Sequence, residues 1–283
     1  MPANNHSLTR RALGASVAAA RAAGERMRGA LGAAPKIEAA SQHDLKLALD
    51  RELQHLIAKT LDAECPGHPL LAEEEDARPP ADAGTRWVVD PLDGTVNFAH
   101  GIPHAAVSIA FQARRPLVPH APPVASRRKP FDDFVTLTGV VFDPFTGELW
   151  TGELGAPSKL NGANIRVSRR SRLAECIVAL GFAKDRASLE TMLPTFNTLV
   201  PRVRKMRITG SAALALAYVA AGRFDAYLES GLRWWDIAAG GLIIEGAGGE
   251  FWHEPAGPDY TFAINGNNGL LRRTLERAAG IRL

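Results

Sequence analysis

Apolar positions recur at helical spacing in two stretches near the start of the chain. Residues 8–31 are good helix formers (Ala, Arg, Leu, Glu, Met) with Ser7 placed as an N-cap, and Pro35 stops the run. A second helix is predicted from about residue 44 to 61, where Leu45, Leu49, Leu53, Leu56 and Ile57 fall on one face. Pro66, Gly67 and Pro69 break the chain before a short strand at Leu70 and Leu71, and the acidic run Glu73-Glu74-Glu75-Asp76 follows. From there the period changes. Trp87-Val88-Val89, inside a strand predicted over 86–90, is an apolar block bounded by turn residues. Residues 105–111 and 134–142 are also strand-like, and the turn from Asp143-Pro144 to Gly147 leads into a strand over 148–151. In the second half, helices at about 187–200, 211–221 and 236–247 alternate with short strands near 178–182, 224–228 and 250–252. This interleaving predicts a layered α/β or α+β architecture. No internal repeat is evident.

Composition adds limits rather than identity. A chain of 283 residues buries a substantial core, and 46% hydrophobic with 22% charged residues is ordinary for a globular protein. The net charge of +3 is concentrated in 10–28 and 114–129, without a nucleic-acid-reading motif beside it, so no nucleic-acid partner is expected. A mild positive balance also suits an enzyme with an anionic substrate. The two cysteines, Cys65 and Cys176, show neither paired spacing nor a zinc pattern, which reads as reduced thiols in a cytoplasmic protein. No apolar run reaches the roughly 18 residues of a membrane span. Residues 8–36 are Arg- and Ala-rich and poor in acids, as transit peptides are, but a packed first helix explains them equally. Residues 1–7 are expected to be disordered. The segment 116–130 carries Pro116, Pro119, Pro122, Pro123 and Pro130, which rules out a helix or central strand. It is expected to be an exposed loop presenting Arg127, Arg128 and Lys129.

The chemistry concentrates in Asp90-Pro91-Leu92-Asp93-Gly94-Thr95. A strand delivers Asp90 at its carboxyl end and Pro91 turns the chain, so that Asp93 points back to the same spot. Two carboxylates this close stay charged only with a cation between them, and an oxygen-rich site suits magnesium. The N–H groups of Gly94 and Thr95 are placed to open a short helix and meet a phosphate oxygen. Alternatively the two aspartates simply cap a β-turn. Glu73 and Glu74 are either site residues or a solvated face. Asp236, after Trp234-Trp235, starts an apolar helix as a cap, a ligand or both.

Together these residues resemble the inositol monophosphatase family, in the superfamily that includes fructose bisphosphatase. Its first motif is matched by Asp90-Pro-Leu-Asp93-Gly-Thr95 with Asn97-Phe98 and Gly101, and its second by Trp235-Asp236-Ile-Ala-Ala-Gly240. Ala72-Glu73-Glu74 matches its Gly-Glu-Glu element with one small residue changed. The resemblance, from about residue 8 to the C-terminus, implies an α+β fold, a layered αβαβα sandwich, in a single domain and a homodimer. It also implies a soluble, magnesium-dependent phosphatase inhibited by lithium. Carried over, Glu73, Asp90 and the Leu92 carbonyl would hold one magnesium ion; Asp90, Asp93 and Asp236 would hold a second. Thr95 with Glu73 would orient the attacking water, so Glu73, Asp93 and Thr95 form the catalytic set. Gly94, Thr95, Ser211, Ala212 and Glu229 would face the substrate; Ser211 also reads as a helix N-cap, and Glu229 as a strand-end surface acid. A third ion near the Glu73 loop is familiar in the family, and Leu47, where the family usually has Thr, weakens that expectation here. His100 and His104 are poor candidates for an oxygen-only site, Trp87, Trp234 and Trp235 read as packing, and Arg207 would meet phosphate or a neighbouring subunit. Inositol 1-phosphate is the first expected substrate, with histidinol phosphate, fructose bisphosphate and adenosine bisphosphate as alternatives. A rival reading is a partner-binding protein acting through the 116–130 loop.

Overall fold

The computed structural model describes residues 3–34, 36–40, 45–74, 79–80, 82–119, 133–182, 186–256 and 261–279. The elements are, in chain order, α1 (Ala3–Ala30), β1 (Ile37–Ala40), β2 (Leu45–Leu47), α2 (Ala48–Glu64), β3 (Leu70–Ala72), β4 (Thr85–Asp93), α3 (Thr95–Ala99), β5 (Ala106–Arg114), β6 (Phe134–Asp143) and β7 (Glu148–Glu153). They continue with β8 (Lys159–Leu160), β9 (Ala163–Asn164), β10 (Ile177–Leu180), α4 (Arg186–Leu199), β11 (Lys205–Arg207), α5 (Ala212–Ala220) and β12 (Ala226–Arg233). The last are α6 (Trp234–Gly246), β13 (Glu250–Pro255), β14 (Thr261–Asn267) and α7 (Arg272–Ala279).

Among the described residues the strands form a β1–β2 pair, a sheet of order β3-β4-β5-β6-β7-β8-β9, and a second of order β11-β10-β12-β14-β13. α1 and α2 cover the outer face of the first sheet, α5 and α6 lie between the sheets, and α4 packs on β12 and α7 beyond the second. Helix, sheet, helix, sheet and helix therefore stack in five layers, the αβαβα arrangement expected. Each gap holds its own apolar cluster.

Small side chains set the spacing. The sheet-facing stripe of α1 is Ala12, Ala15, Ala19, Ala23 and Met27, all but shut off from solvent. On α6, Ile237, Ala239 and Ile243 are fully buried because this helix touches sheets on both sides, so it is apolar all round rather than amphipathic. A Cβ on Gly139 of β6 would lie 2.7 Å from the Ala239 carbonyl oxygen, an approach only glycine permits.

Asp225, fully buried ahead of β12, ties the second sheet to the preceding loop. It accepts from Arg170 Nε at 2.8 Å, from the Ile177 N–H at 2.7 Å and from the Ser168 hydroxyl.

Several boundaries differ from expectation. α1 starts at Ala3, so it takes in residues 3–7 and Ser7 lies within it rather than capping it. Leu45 and Leu47 are in a strand, because the spacing of four from Leu45 to Leu49 fits either period, and α2 starts only at Ala48. Residues 120–132, most of the Pro- and Arg-rich segment, lie outside the described residues. Its beginning is a turn of 3-10 helix at Arg115–Leu117 followed by buried Val118. Among the described residues no helix is long and apolar enough to cross a membrane.

His253 on β13 sits against the rings of Trp234, Phe251 and Phe262. Burial there pushes its pKa down from 6.5 to about 4. The unfolded chain takes up a proton near pH 6.5 that the folded one refuses until about pH 4. Stability is therefore expected to fall across that window as pH drops, by about 3 kcal/mol from this residue. Urea unfolding at several pH values, with wild type and His253→Phe, checks this; the variant should lose that part of the slope.

Candidate active site

All ten residues expected to act at the site, Glu73, Asp90, Leu92, Asp93, Gly94, Thr95, Ser211, Ala212, Glu229 and Asp236, line one cavity of about 290 Å3. It opens where the carboxyl end of β4 meets the start of α5, the middle of β12 and the first turn of α6.

The β4 backbone explains how Asp90 and Asp93 come together. Residues three apart on a regular strand face opposite sides. Here Asp90 pairs with Ser108 and Asp93 with Ala106, so β4 advances three residues while β5 advances two. That bulge turns Asp93 back to the side of Asp90. Gly94 follows at φ +94°, and a Cβ there would meet the His104 carbonyl oxygen at 2.9 Å. α3 then begins at Thr95, whose hydroxyl donates to the Leu92 carbonyl at 3.0 Å.

The acids differ in their surroundings. Asp90 is 2% exposed and accepts the Leu92 N–H at 2.9 Å. Burial first, then the charges of Glu73, Asp93 and Asp236, drives its pKa well above the usual carboxylate range. Asp93 accepts from the Ser211 hydroxyl at 2.5 Å, the Ala213 N–H at 2.8 Å and the Ala212 N–H at 3.3 Å. Burial still raises its pKa, against those donors. Ser211 is the N-cap of α5, its oxygen accepting from the Leu214 N–H at 3.3 Å, so it caps the helix and holds Asp93 at once. Asp236 lies in the first turn of α6 rather than ahead of it, and its Oδ2 accepts the Arg233 N–H at 2.7 Å.

Glu73 follows β3 directly and lines the cavity, while Glu74 turns inward. Glu74 exchanges two bonds with the Gln54 amide through its backbone and pairs with Lys46 at 3.4 Å. Neither is a solvated-face residue; Glu75 and Asp76 lie outside the described residues. Glu229 is buried too, not a strand-end surface acid, and accepts the Tyr227 hydroxyl. His100 Nδ1 is occupied by the Val96 carbonyl, and neither it nor His104 lines the cavity. Arg207 is exposed, bonded to the Met206 carbonyl and outside the cavity as well.

The donor set is entirely oxygen, four carboxylates and a carbonyl, which fits a hard cation such as magnesium. Two observations pull in different directions. The charges of the other three acids all act on Asp90, yet among the described residues no three Asp, Glu, His or Cys side chains form a finished ligand set for one ion. Asp93 is held by Ser211 and Ala213, and Asp236 by the Arg233 N–H, so both carboxylates are engaged with donors of the chain while they line the cavity.

Three neighbours have roles at the site that the sequence reading did not give them. Asp50, in the first turn of α2, accepts the Leu47 N–H at 2.8 Å, and its pKa rises to about 7 through burial and the charges of Glu73 and Glu74. Asn97 donates to the carbonyls of His104 at 2.9 Å and Thr209 at 2.8 Å, joining the two walls. Tyr227 holds Glu229. Asn97 stands inside the first motif, and Tyr227 had a local signal in its spacing of two from Glu229 on a strand.

The model of the inositol monophosphatase family matches residues 9–118 and 131–279. Nus factor SuhB of Vibrio cholerae is 36% identical over 88% of this chain and 87% of its own length. Inositol-1-monophosphatase of Mesorhizobium japonicum is 36% identical over 81% and 80%. Among solved structures, SuhB of Bartonella henselae superposes with a TM-score of 0.81 at 33% identity, covering 96% of this chain and 99% of that one. Inositol monophosphatase from Anabaena gives 0.76 at 31%, with 94% of each covered. Sequence and fold agree: the chain belongs to the inositol monophosphatase family.

Proposed function

We propose that this chain hydrolyses small phosphate monoesters with magnesium, and that a polyol phosphate such as inositol 1-phosphate is its substrate. The observation that carries the reading is the gathering of Glu73, Asp90, Asp93 and Asp236 with Thr95 and Ser211 around one cavity. Glu73, Asp90 and the Leu92 carbonyl would hold one ion, and Asp90, Asp93 and Asp236 a second. When bound, the ions supply charge neutralisation and Lewis acidity toward the phosphate.

The chain's own groups supply the rest. The Thr95 hydroxyl proton is committed to the Leu92 carbonyl, which leaves its oxygen to accept a proton of the attacking water. Glu73, facing the same cavity, takes the water's other proton as the water oxygen closes on phosphorus. The ester P–O bond breaks, the alcohol leaves with a proton from solvent, and inorganic phosphate remains. Gly94 and Thr95 on one wall, with Ser211 and Ala212 on the other, flank the phosphate, and Glu229 accepts from a hydroxyl of the alcohol. We place the reaction in the cytoplasm, in a homodimer.

The test is phosphate release from inositol 1-phosphate, histidinol phosphate, fructose bisphosphate and adenosine bisphosphate, each with magnesium and with EDTA. The expected result is magnesium-dependent release, fastest from the inositol ester. No release from any ester would overturn the reading. The relatives named Nus factor SuhB support a second role through a partner, and we place that role on the basic 116–130 segment for its Arg127, Arg128 and Lys129. Deleting residues 120–129, which keeps buried Val118, should then abolish partner capture with turnover unchanged.

A further inference from the structure

One wall of the cavity is built by β10 and β12. They run parallel, with Leu180 beside Leu228, and the Gly181 N–H donates to the Leu228 carbonyl at 3.1 Å. Residue 181 therefore lies beside residue 229. Tyr227 and Glu229, two apart on β12, share a face of the strand, and both line the cavity together with Gly181.

Two features fix the Glu229 carboxylate there. The fully buried Tyr227 hydroxyl donates to Oε2. That same oxygen occupies the space where a side chain at 181 would begin: a Cβ built on Gly181 would overlap Oε2 outright. The φ of Gly181 is not in the left-handed region, so its backbone does not call for glycine. What calls for glycine at 181 is the carboxylate.

We infer that Gly181 and Tyr227 are specificity-determining positioning residues: one vacates and the other anchors the seat from which Glu229 reads a hydroxyl of the alcohol. This deepens the proposed function and rests on it for the identity of the ester. Neither residue touches the reacting phosphate. Both act through Glu229, so their effects must vanish when Glu229 is gone.

The experiment compares inositol 1-phosphate with p-nitrophenyl phosphate, which has no alcohol hydroxyls, in wild type, Gly181→Ala and Tyr227→Phe. Each variant is expected to lower the ratio of the two kcat/KM values about tenfold or more, chiefly through KM for the inositol ester. In a Glu229→Ala background the same substitutions should leave the ratio where Glu229→Ala alone puts it. Equal losses on both esters, an unchanged ratio, or additive losses in the Glu229→Ala background would overturn the inference. Tyr227→Phe removes one oxygen and keeps the ring, so it carries the test if Gly181→Ala does not fold. Calorimetric binding of inositol 1-phosphate and phenyl phosphate to the same proteins gives a second reading of the ratio. A chain that releases no phosphate but shows the same loss of binding preference would overturn the proposed hydrolysis and uphold the role of Gly181 and Tyr227.

Discussion

Asp90→Asn is expected to lower phosphate release by about a thousandfold or more while the protein melts no lower than wild type. The two halves of this expectation share one cause. Asp90 is buried, its charge opposed by burial and by Glu73, Asp93 and Asp236, with a single N–H donor from Leu92 in its favour. An uncompensated charge in that position opposes folding, and a neutral amide of the same shape relieves the strain. The same amide is a much poorer ligand for a hard cation and would break the pair of sites that Asp90 is proposed to bridge. Phosphate release and thermal melting, measured on one preparation, check both halves. Wild-type turnover would remove Asp90 from the ligand set. A large fall in melting temperature would mean that its carboxylate is a structural acceptor instead.

The largest stability effect is expected away from the cavity. Asp225→Ala removes a fully buried carboxylate that accepts from the Arg170 guanidinium, the Ile177 N–H and the Ser168 hydroxyl. The Ile177 N–H and the Ser168 hydroxyl would lose their acceptor, while the Arg170 guanidinium, 39% exposed, can turn to water, so the loss is expected to be about 2–4 kcal/mol. For a chain of this size that corresponds to a melting temperature lower by roughly 5 °C. Asp225→Asn keeps the volume and two of the acceptor contacts, so it should lose less. Denaturant unfolding of the two variants measures the difference. Equal stability of wild type and Asp225→Ala would show that the loop before β10 does not depend on this anchor.

The acids of the site were legible because charged residues stand out in apolar surroundings: Asp90 closes a Trp-Val-Val run, and Asp236 sits among Trp, Ile and Ala. Their convergence was less legible. Strict alternation sends Asp90 and Asp93 to opposite faces, and only pairing with β5 reveals the bulge that reverses this. The β1–β2 pair was hidden because Leu45, four residues before Leu49, also fits the helical stripe that follows. β14 and α7 gave weak signals. Along Thr261–Asn267, Asn265 and Asn267 are as buried as Ile264, so no polar face marks the strand. Arg272–Ala279 is polar, and buried Leu275 is its main core contact. Gly181 became visible only once two strands far apart in sequence lay side by side.

The setting of α6 bears on how such a protein can diverge. Asp236 is carried on a helix wedged against both sheets, with the Ala239 backbone against Gly139 and no room for an added methyl group. Mutational drift there would move an acid and disturb the whole interior together. The opposite wall has slack: Phe182 is only half-buried and Ile208 projects into solvent. New substrate preferences should therefore arise by turnover of residues on that side, with the anion-handling half inherited unchanged.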